Sequence, residues 1–410
     1  MKNFDTDIAV IGAGASGLTA AISALRYTSC KVTLIEKMPR VGKKILSTGN
    51  GRCNLSNADL NESNYNGDSE LLSYTAKEVS DTIQFFASLG LLCRKDDCGR
   101  IYPYSMTATS VLDALRFSAE SGGADIICGT TVNNILKIKN GYKIVCNEYE
   151  ICTKKLIMAA GGCATPSLGS NGDGYSLCKK LGHSVTKLYP ALAPIRTQTE
   201  LVKAVKGLRT PAVVSLLVNS ETMCSESGEV QFTDGALSGI CIFNISAKAC
   251  EYIGTGVISL DTAPDISKSE LFYLIRNTAE IRRILNCDEL LTGLYHKRIG
   301  QAILKNSGIP FTKLCGDITD KEISLIVRTA KDWRFPIKAV SDWSLAQVTC
   351  GGIPANEVTD KLESTKAHGM YLCGEILNLQ GKCGGYNLDW AWKSGYTAGK
   401  NAAVSLTEKQ

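Results

Sequence analysis

Three glycines, Gly12, Gly14 and Gly17, with Ala15 and Ser16 between them, and a carboxylate at Glu36 are the residues whose types and spacing imply chemistry most directly. In a Gly-x-Gly-x-x-Gly turn the first glycine makes the tight bend and the second lets a pyrophosphate come against the backbone. The third lets the following helix lie close on the strand. The free N–H groups and positive dipole end of that helix form an anion site. Glu36 can accept both hydroxyls of an adenosine ribose and would repel a 2′-phosphate, so the expected ligand is FAD or NAD, not NADP.

These residues need a strand, a turn, a helix and a second strand to place them. Residues 8–12 read as a buried strand, 15–27 as an Ala/Leu-rich helix, and 31–35 as a second strand ending in Glu36. A lone glycine motif is weak; here all five parts fall in order. Residues 37–57, KMPRVGKKILSTGNGRCNLSN, are too polar and glycine-rich for a regular element. A loop of that length inside a domain is expected to be functional. Its Lys43, Lys44, Thr48, Gly49, Asn50, Gly51, Arg52 and Asn54 offer donors near a pyrophosphate and flavin, and Lys37 and Cys53 complete the set.

Further along, Val79, Ile83, Phe86 and Leu89 have amphipathic-helix spacing over 76–89. Arg100-Ile101-Tyr102-Pro103 leads into a helix over 110–120, stopped by Gly122-Gly123. Short strands over 124–152 turn at Asn140-Gly141. An apolar strand over 155–160 then ends in Ala160-Gly161-Gly162, small enough for a dinucleotide to pass. A short helix is read over 172–181. At Tyr189-Pro190 the character changes, and an inserted domain is expected as far as about Thr349. It has strands over 212–218, 230–232 and 257–260 and helices over 267–330, with capping-type starts at Asp265/Ser267 and Thr319.

The first domain then resumes. Residues 369–375 read as a buried strand ending in Gly374-Glu375, whose acid can accept a ribityl hydroxyl. GKCGGYN, residues 381–387, opens a helix over 388–403, so that Gly384, Gly385, Tyr386 and Asn387 face the pyrimidine edge of a reduced flavin, where negative charge develops. Val132 is a further expected cofactor contact. Three separated segments, near Gly12, Gly161 and Gly374, suit FAD better than NAD alone. With no second Gly-x-Gly-x-x-Gly, NAD(P)H is expected only as a transient electron donor over the flavin.

Composition narrows the class. The 410 residues are 44% hydrophobic, enough for two or three domains with a substantial core. No apolar run approaches the roughly 20 residues of a membrane span. Strand one begins without a signal-like leader, so the expected location is the cytoplasm. The 17 cysteines show no CxxC or zinc spacing and are expected to be reduced; no metal site is expected. A net charge of +5, spread along the chain, makes no case for nucleic acid, and the expected partner is a small-molecule substrate. No motif speaks to oligomeric state. With three histidines, proton transfer falls naturally to other groups. Tyr386 and Cys53 are the catalytic candidates, weighed against packing roles; His183 and His296 read as surface or packing residues.

Taken together, the Asp7–Glu36 stretch and STGNGRCNLSN resemble the HI0933-like flavoproteins, or BaiN-type FAD-dependent oxidoreductases, and the resemblance extends over essentially the whole chain. It implies an α/β fold: a Rossmann-like FAD-binding domain of the two-dinucleotide-binding type, residues 1–190 and 350–410. It further implies an inserted β-barrel domain, 191–264 and 331–349, carrying a small helical subdomain, 265–330. The Ala159–Gly162 turn would be the family's second FAD-contacting segment. The segment from Phe232 to Gly239 also matches, although many relatives carry His where this chain has Asp234. The implied activity is NAD(P)H-driven reduction of a conjugated carbon–carbon double bond beside a ketone, in a bile-acid or steroid-like enone. The alternatives are an aminoacetone-type FAD-dependent amine oxidase and a flavin-binding accessory or RNA-modifying protein.

Overall fold

The computed structural model describes residues 2–76 and 81–407. β1 (Lys2–Ile11) enters the interior at Ile8, and residues 8–10 are wholly buried. It pairs in parallel with β2 (Val32–Ile35) on one side, Ile8 opposite Val32, and with β6 (Tyr149–Met158) on the other, Ile8 opposite Lys155. Parallel neighbours need crossover connections; α1 (Ala15–Tyr27) supplies the one between β1 and β2. β3 (Asp125–Ile127) extends the sheet beyond β2. The hairpin β4 (Val132–Ile138) and β5 (Gly141–Cys146) turns at Lys139-Asn140, with Ile138 opposite Gly141, one residue before the expected Asn140-Gly141.

β6 is shared lengthwise. Its first half pairs antiparallel with β5, and its second half pairs in parallel with β7 (Met370–Leu372), Leu156 opposite Met370. The sheet therefore takes strands from both ends of the chain. Residues 1–189 and 347–410 form one unit, and 190–346 form another. α2 (Ala108–Ser121) and α3 (Tyr386–Thr407) belong to the first unit.

Two expectations change in this unit. The single helix over 76–89 is replaced by helices Glu70–Ala76 and Thr82–Ala87. Asp81 starts the second one, its carboxylate accepting the Ile83 N–H at 2.7 Å, which fits the preference for aspartate at a helix cap; Val79 lies outside the described residues. The 37–57 stretch is also more regular than its polarity suggests. Residues Ile45–Gly51 form tight 3₁₀ turns interrupted at Gly49 and Asn50, both left-handed. Ser56–Asn57 joins a three-stranded sheet with Arg100–Pro103 and Cys93–Lys95.

In the second unit, seven antiparallel strands run in the order Trp333–Pro336, Val257–Asp261, Arg209–Val218, Glu221–Phe232, Ala236–Ser238, Ile195–Arg196, Ala339–Val340. Phe232, Trp333 and Phe335 pack as one aromatic cluster, ring centroids 5.0–6.2 Å apart. Between Asp261 and Trp333 lie helices Lys268–Ile281, Lys297–Asn306 and Asp320–Lys331. Reciprocal capping boxes open the first and third, Ser267 with Glu270 and Thr319 with Glu322, so the cap is Ser267 and not Asp265. Asp234 is exposed and ion-paired with Lys206 at 2.7 Å, a surface role unlike that of a site residue. No described helix is long and apolar enough to cross a membrane.

Candidate dinucleotide and active site

β1 delivers the chain to Gly12, whose N–H donates to Ile35 O at 2.8 Å. A Cβ here would stand 2.5 Å from Ala159 O, and one on Gly17 would stand 1.8 Å from Gly12 O, so the β1–α1 turn packs backbone to backbone. At Gly14 the same construction meets nothing within 4 Å. Gly14 is also the N-cap of α1, with no side-chain cap. A helix start that is open and uncapped by side chains is what a pyrophosphate requires.

Glu36 stands at the end of β2, accepting Ala13 N–H at 2.9 Å and Met38 N–H at 2.8 Å, one bond per oxygen. Each carboxylate oxygen has room for another donor. Thr130 N–H donates to Glu36 O at 2.9 Å, and Val132 follows two residues on, at the start of β4. Lys37 is committed elsewhere. Its ammonium pairs with Asp173 at 3.0 Å and with Asn171, an ion pair at a helix start.

The other two segments arrive where the sequence places them. Ala159 N–H donates to Ile11 O, bringing the Ala160-Gly161-Gly162 turn against the Gly12 loop. Ser16 Oγ lies 2.5 Å from where a Cβ on Gly374 would be. Glu375 Oε1 accepts the Thr349 N–H at 2.8 Å, and its other oxygen pairs with Lys44 Nζ at 3.0 Å. Thr349 Oγ1 in turn accepts the N–H groups of Cys163 (2.7 Å) and Ala164 (3.2 Å). One carboxylate thus ties the 37–57 loop, the β6 turn and the β7 turn together.

A second node joins that loop to the start of α3. Asn57 Nδ2 donates to Gly384 O at 2.9 Å, while Ser56 Oγ and Lys393 Nζ bind the buried carboxylate of Asp389 at 2.7 and 2.9 Å. The indoles of Trp390 and Trp392 donate to Gly374 O and Leu55 O, both at 3.0 Å. Asn387, an expected cofactor contact, closes its own turn, bonding Gly381 N and O at 2.8 Å each. Gly385 precedes it in the turn, beside Ser56 and Asn54. Asn50, Gly51 and Arg52 are exposed, and Lys43 and Thr48 partly so.

Of the two catalytic candidates, Cys53 is wholly buried, and burial pushes its thiol up to about 12. It has no thiolate to offer near neutrality. Tyr386 is 8% exposed and packs edge-on against Tyr65 at 5.6 Å between centroids. His183 is a core residue, held between Glu357 and Ser364 at 2.8 Å each. His296 caps its helix through Arg298 N–H. Thr349, Asp389, Trp390 and Trp392 were not foreseen. Only the fold brings them to the site, although a buried acid one turn into a glycine-led helix was a usable sign for Asp389.

The donor set fits FAD. There is an open helix start at Gly14, a carboxylate with spare acceptor capacity at Glu36, and a buried Asn54 Oδ1 with no hydrogen-bond partner in the loop where a flavin would lie. A buried acceptor left unpaired calls for a donor. Fold and site together define an FAD-dependent oxidoreductase. The chain belongs to the HI0933-like family: residues 6–401 match the HI0933-like protein Rossmann domain.

It is 35% identical over 404 residues to a 3-dehydro-bile acid delta(4,6)-reductase of Clostridium scindens, covering 97% of this chain and 98% of that protein. A ribosomal RNA dihydrouridine synthase of Escherichia coli is 27% identical over 410 residues, 98% of each chain. In fold, a 3-ketosteroid delta1-dehydrogenase from Sterolibacterium denitrificans is similar, with a TM-score of 0.54 at 12% identity over 98% of this chain and 100% of that one.

Proposed function

We propose that the protein reduces a carbon–carbon double bond conjugated to a carbonyl, in a 3-oxo bile-acid or steroid-like substrate, with NAD(P)H as electron donor. The carrying observation is the 35% identity, end to end, with a bile-acid reductase, joined to a site in which three separated segments converge. The chemistry FAD supplies when bound is two-electron transfer, hydride in from nicotinamide and hydride out to an electron-poor carbon.

The chain does the rest. Gly12, Gly14, Ala15, Ser16 and Gly17 with the start of α1 would take the pyrophosphate, Glu36 the adenosine ribose, and Glu375 the ribityl chain. Gly161 and Gly162 would flank it. The start of α3, from Gly384 to Tyr386, offers backbone dipoles to the flavin's pyrimidine edge. In this reading 191–264 and 331–349 curl into a barrel carrying 265–330, as the antiparallel strand order and the three intervening helices support. The cysteines, none of them in a disulfide among the described residues, support a reducing, cytoplasmic setting.

A second reading rests on the dihydrouridine synthase likeness. The C5=C6 bond of uridine is conjugated to the C4 carbonyl, so both relatives' names describe one bond type in different molecules. Anaerobic stopped-flow absorbance separates the readings. NAD(P)H should bleach the bound FAD, and an enone steroid should restore the colour faster than air does. Restoration by ribosomal RNA alone, through binding that weakens steeply with salt, would replace the substrate class. Bleaching by neither nicotinamide would overturn the electron donor.

A further inference from the structure

Arg100 and Tyr102 occupy alternate positions on the strand Arg100–Pro103, while Ile101 and Pro103 are buried on its other face. Both side chains are partly exposed. The strand is bonded directly to the 37–57 loop: Leu55 N–H donates to Ile101 O at 2.7 Å, and Asn57 lies opposite Arg100. That same Asn57 holds Gly384 O, at the turn that opens α3. A Cβ on Gly49 would stand 3.7 Å from Tyr102 Cε1, and the Arg100 charge is felt at Cys383. The pair therefore lies between the two turns placed at the flavin, beside buried groups but reachable. Two residues apart on one face of the strand, the guanidinium and the phenol are within reach of each other. A guanidinium only donates, so in a contact between the two the phenol oxygen accepts and its O–H is left to donate outward.

The geometry points to Tyr102 as the proton donor to the substrate's α-carbon, with Arg100 as the positioning residue that orients its hydroxyl. The inference rests on the reading that the protein reduces a conjugated carbonyl. Bound FAD, once reduced, would supply the hydride for a C–H bond at the β-carbon; the π pair would then move to leave an enolate, and the Tyr102 O–H bond would break as its proton passes to the α-carbon. The phenolate, adjacent to the Arg100 cation, regains a proton from water. Electrons and protons balance: one hydride and one proton enter, and the double bond becomes single. The requirement is the same for a steroid enone and for a uracil ring.

The test uses the FAD-loaded protein with Tyr102→Phe, and Tyr104→Phe as the control, since Tyr104 is 60% exposed and stacks on Arg94. NAD(P)H should bleach all three proteins alike. Reoxidation of Tyr102→Phe by the enone should be slowed by at least about 100-fold, the usual contribution of a positioned acid. In D2O the wild type should place deuterium on one face of the α-carbon, and residual product from Tyr102→Phe should lose that preference. Arg100→Gln should slow the same step about tenfold and keep the face. Wild-type rate and facial labelling in Tyr102→Phe would overturn this assignment and leave the enone reading standing. A wild type that bleaches but is reoxidised by neither an enone nor uridine-containing RNA would overturn both.

Discussion

At the scale of single residues, the charge pair Lys44–Glu375 is the most exacting contact of the site, because Glu375 holds both Lys44 and Thr349 and, in the proposed reading, also faces the cofactor. Lys44→Met leaves a partly buried carboxylate with one backbone donor, and an unpaired charge costs more than the pair contributes. FAD affinity should fall about tenfold, about 1.4 kcal/mol, measured by titrating apoprotein with FAD. Adding Glu375→Gln should recover part of that loss. Cys53 leads to the opposite expectation. With its thiol pushed up to about 12 by burial, Cys53 carries almost no thiolate at pH 8. Iodoacetamide should label the exposed Cys98 and spare Cys53 in native protein, read by peptide mass spectrometry, and Cys53→Ala should keep its colour. The tight turn at Gly12 and Gly17 and the strand end at Glu36 were legible because they are set by local sequence. Thr349 was not, since a threonine acquires its role only when the fold brings the β6 turn to it.

Elements show a different limit. The sequence marks α3 as a helix rich in glycine, a residue that disfavours helices, without saying why. The structure answers through packing: a Cβ on Gly395 would stand 2.3 Å from Ser16 O, and one on Gly399 would stand 2.1 Å from Ala20 O, both on α1. Alanine would add about 1 kcal/mol of helix propensity, but the clash is with backbone that cannot rotate away, and overpacking costs about 1–3 kcal/mol. Gly399→Ala should therefore lower the thermal midpoint. It should also weaken FAD, because α3 carries both the 384–386 turn and the indole that holds Gly374 O. Capping, by contrast, was readable from Ser267 and Thr319. Glu322 accepts from Lys313 and Thr319, which hold its carboxyl down to about 2. A depressed carboxylate stabilises the fold above its unfolded range and loses that contribution as pH falls. Glu322→Ala should cost about 1 kcal/mol near neutrality, and the gap to wild type should close between the ordinary glutamate range and pH 2, followed by urea melts across pH.

At the scale of the molecule, the nucleotide unit is assembled from both ends of the sequence. β6 makes this unavoidable: its second half bonds to β7, and β7 leads to the Glu375 turn and to α3. A chain ending at residue 346 keeps Gly12, Glu36 and the whole 37–57 loop. It lacks the partner strand for Leu156–Met158, the helix that covers Ser16 and Ala20, and the acid that Lys44 pairs with. An exposed strand edge beside a bared helix face favours aggregation over folding. The truncated chain should be recovered colourless or insoluble, although the sequence motif for the dinucleotide is intact. Supplying residues 347–410 as a separate co-expressed chain should return soluble yellow protein, read by absorbance near the flavin band after size exclusion. A yellow, soluble 1–346 fragment would mean that the first Gly-rich turn alone suffices to retain the cofactor, and that the convergence of three segments serves orientation and not binding.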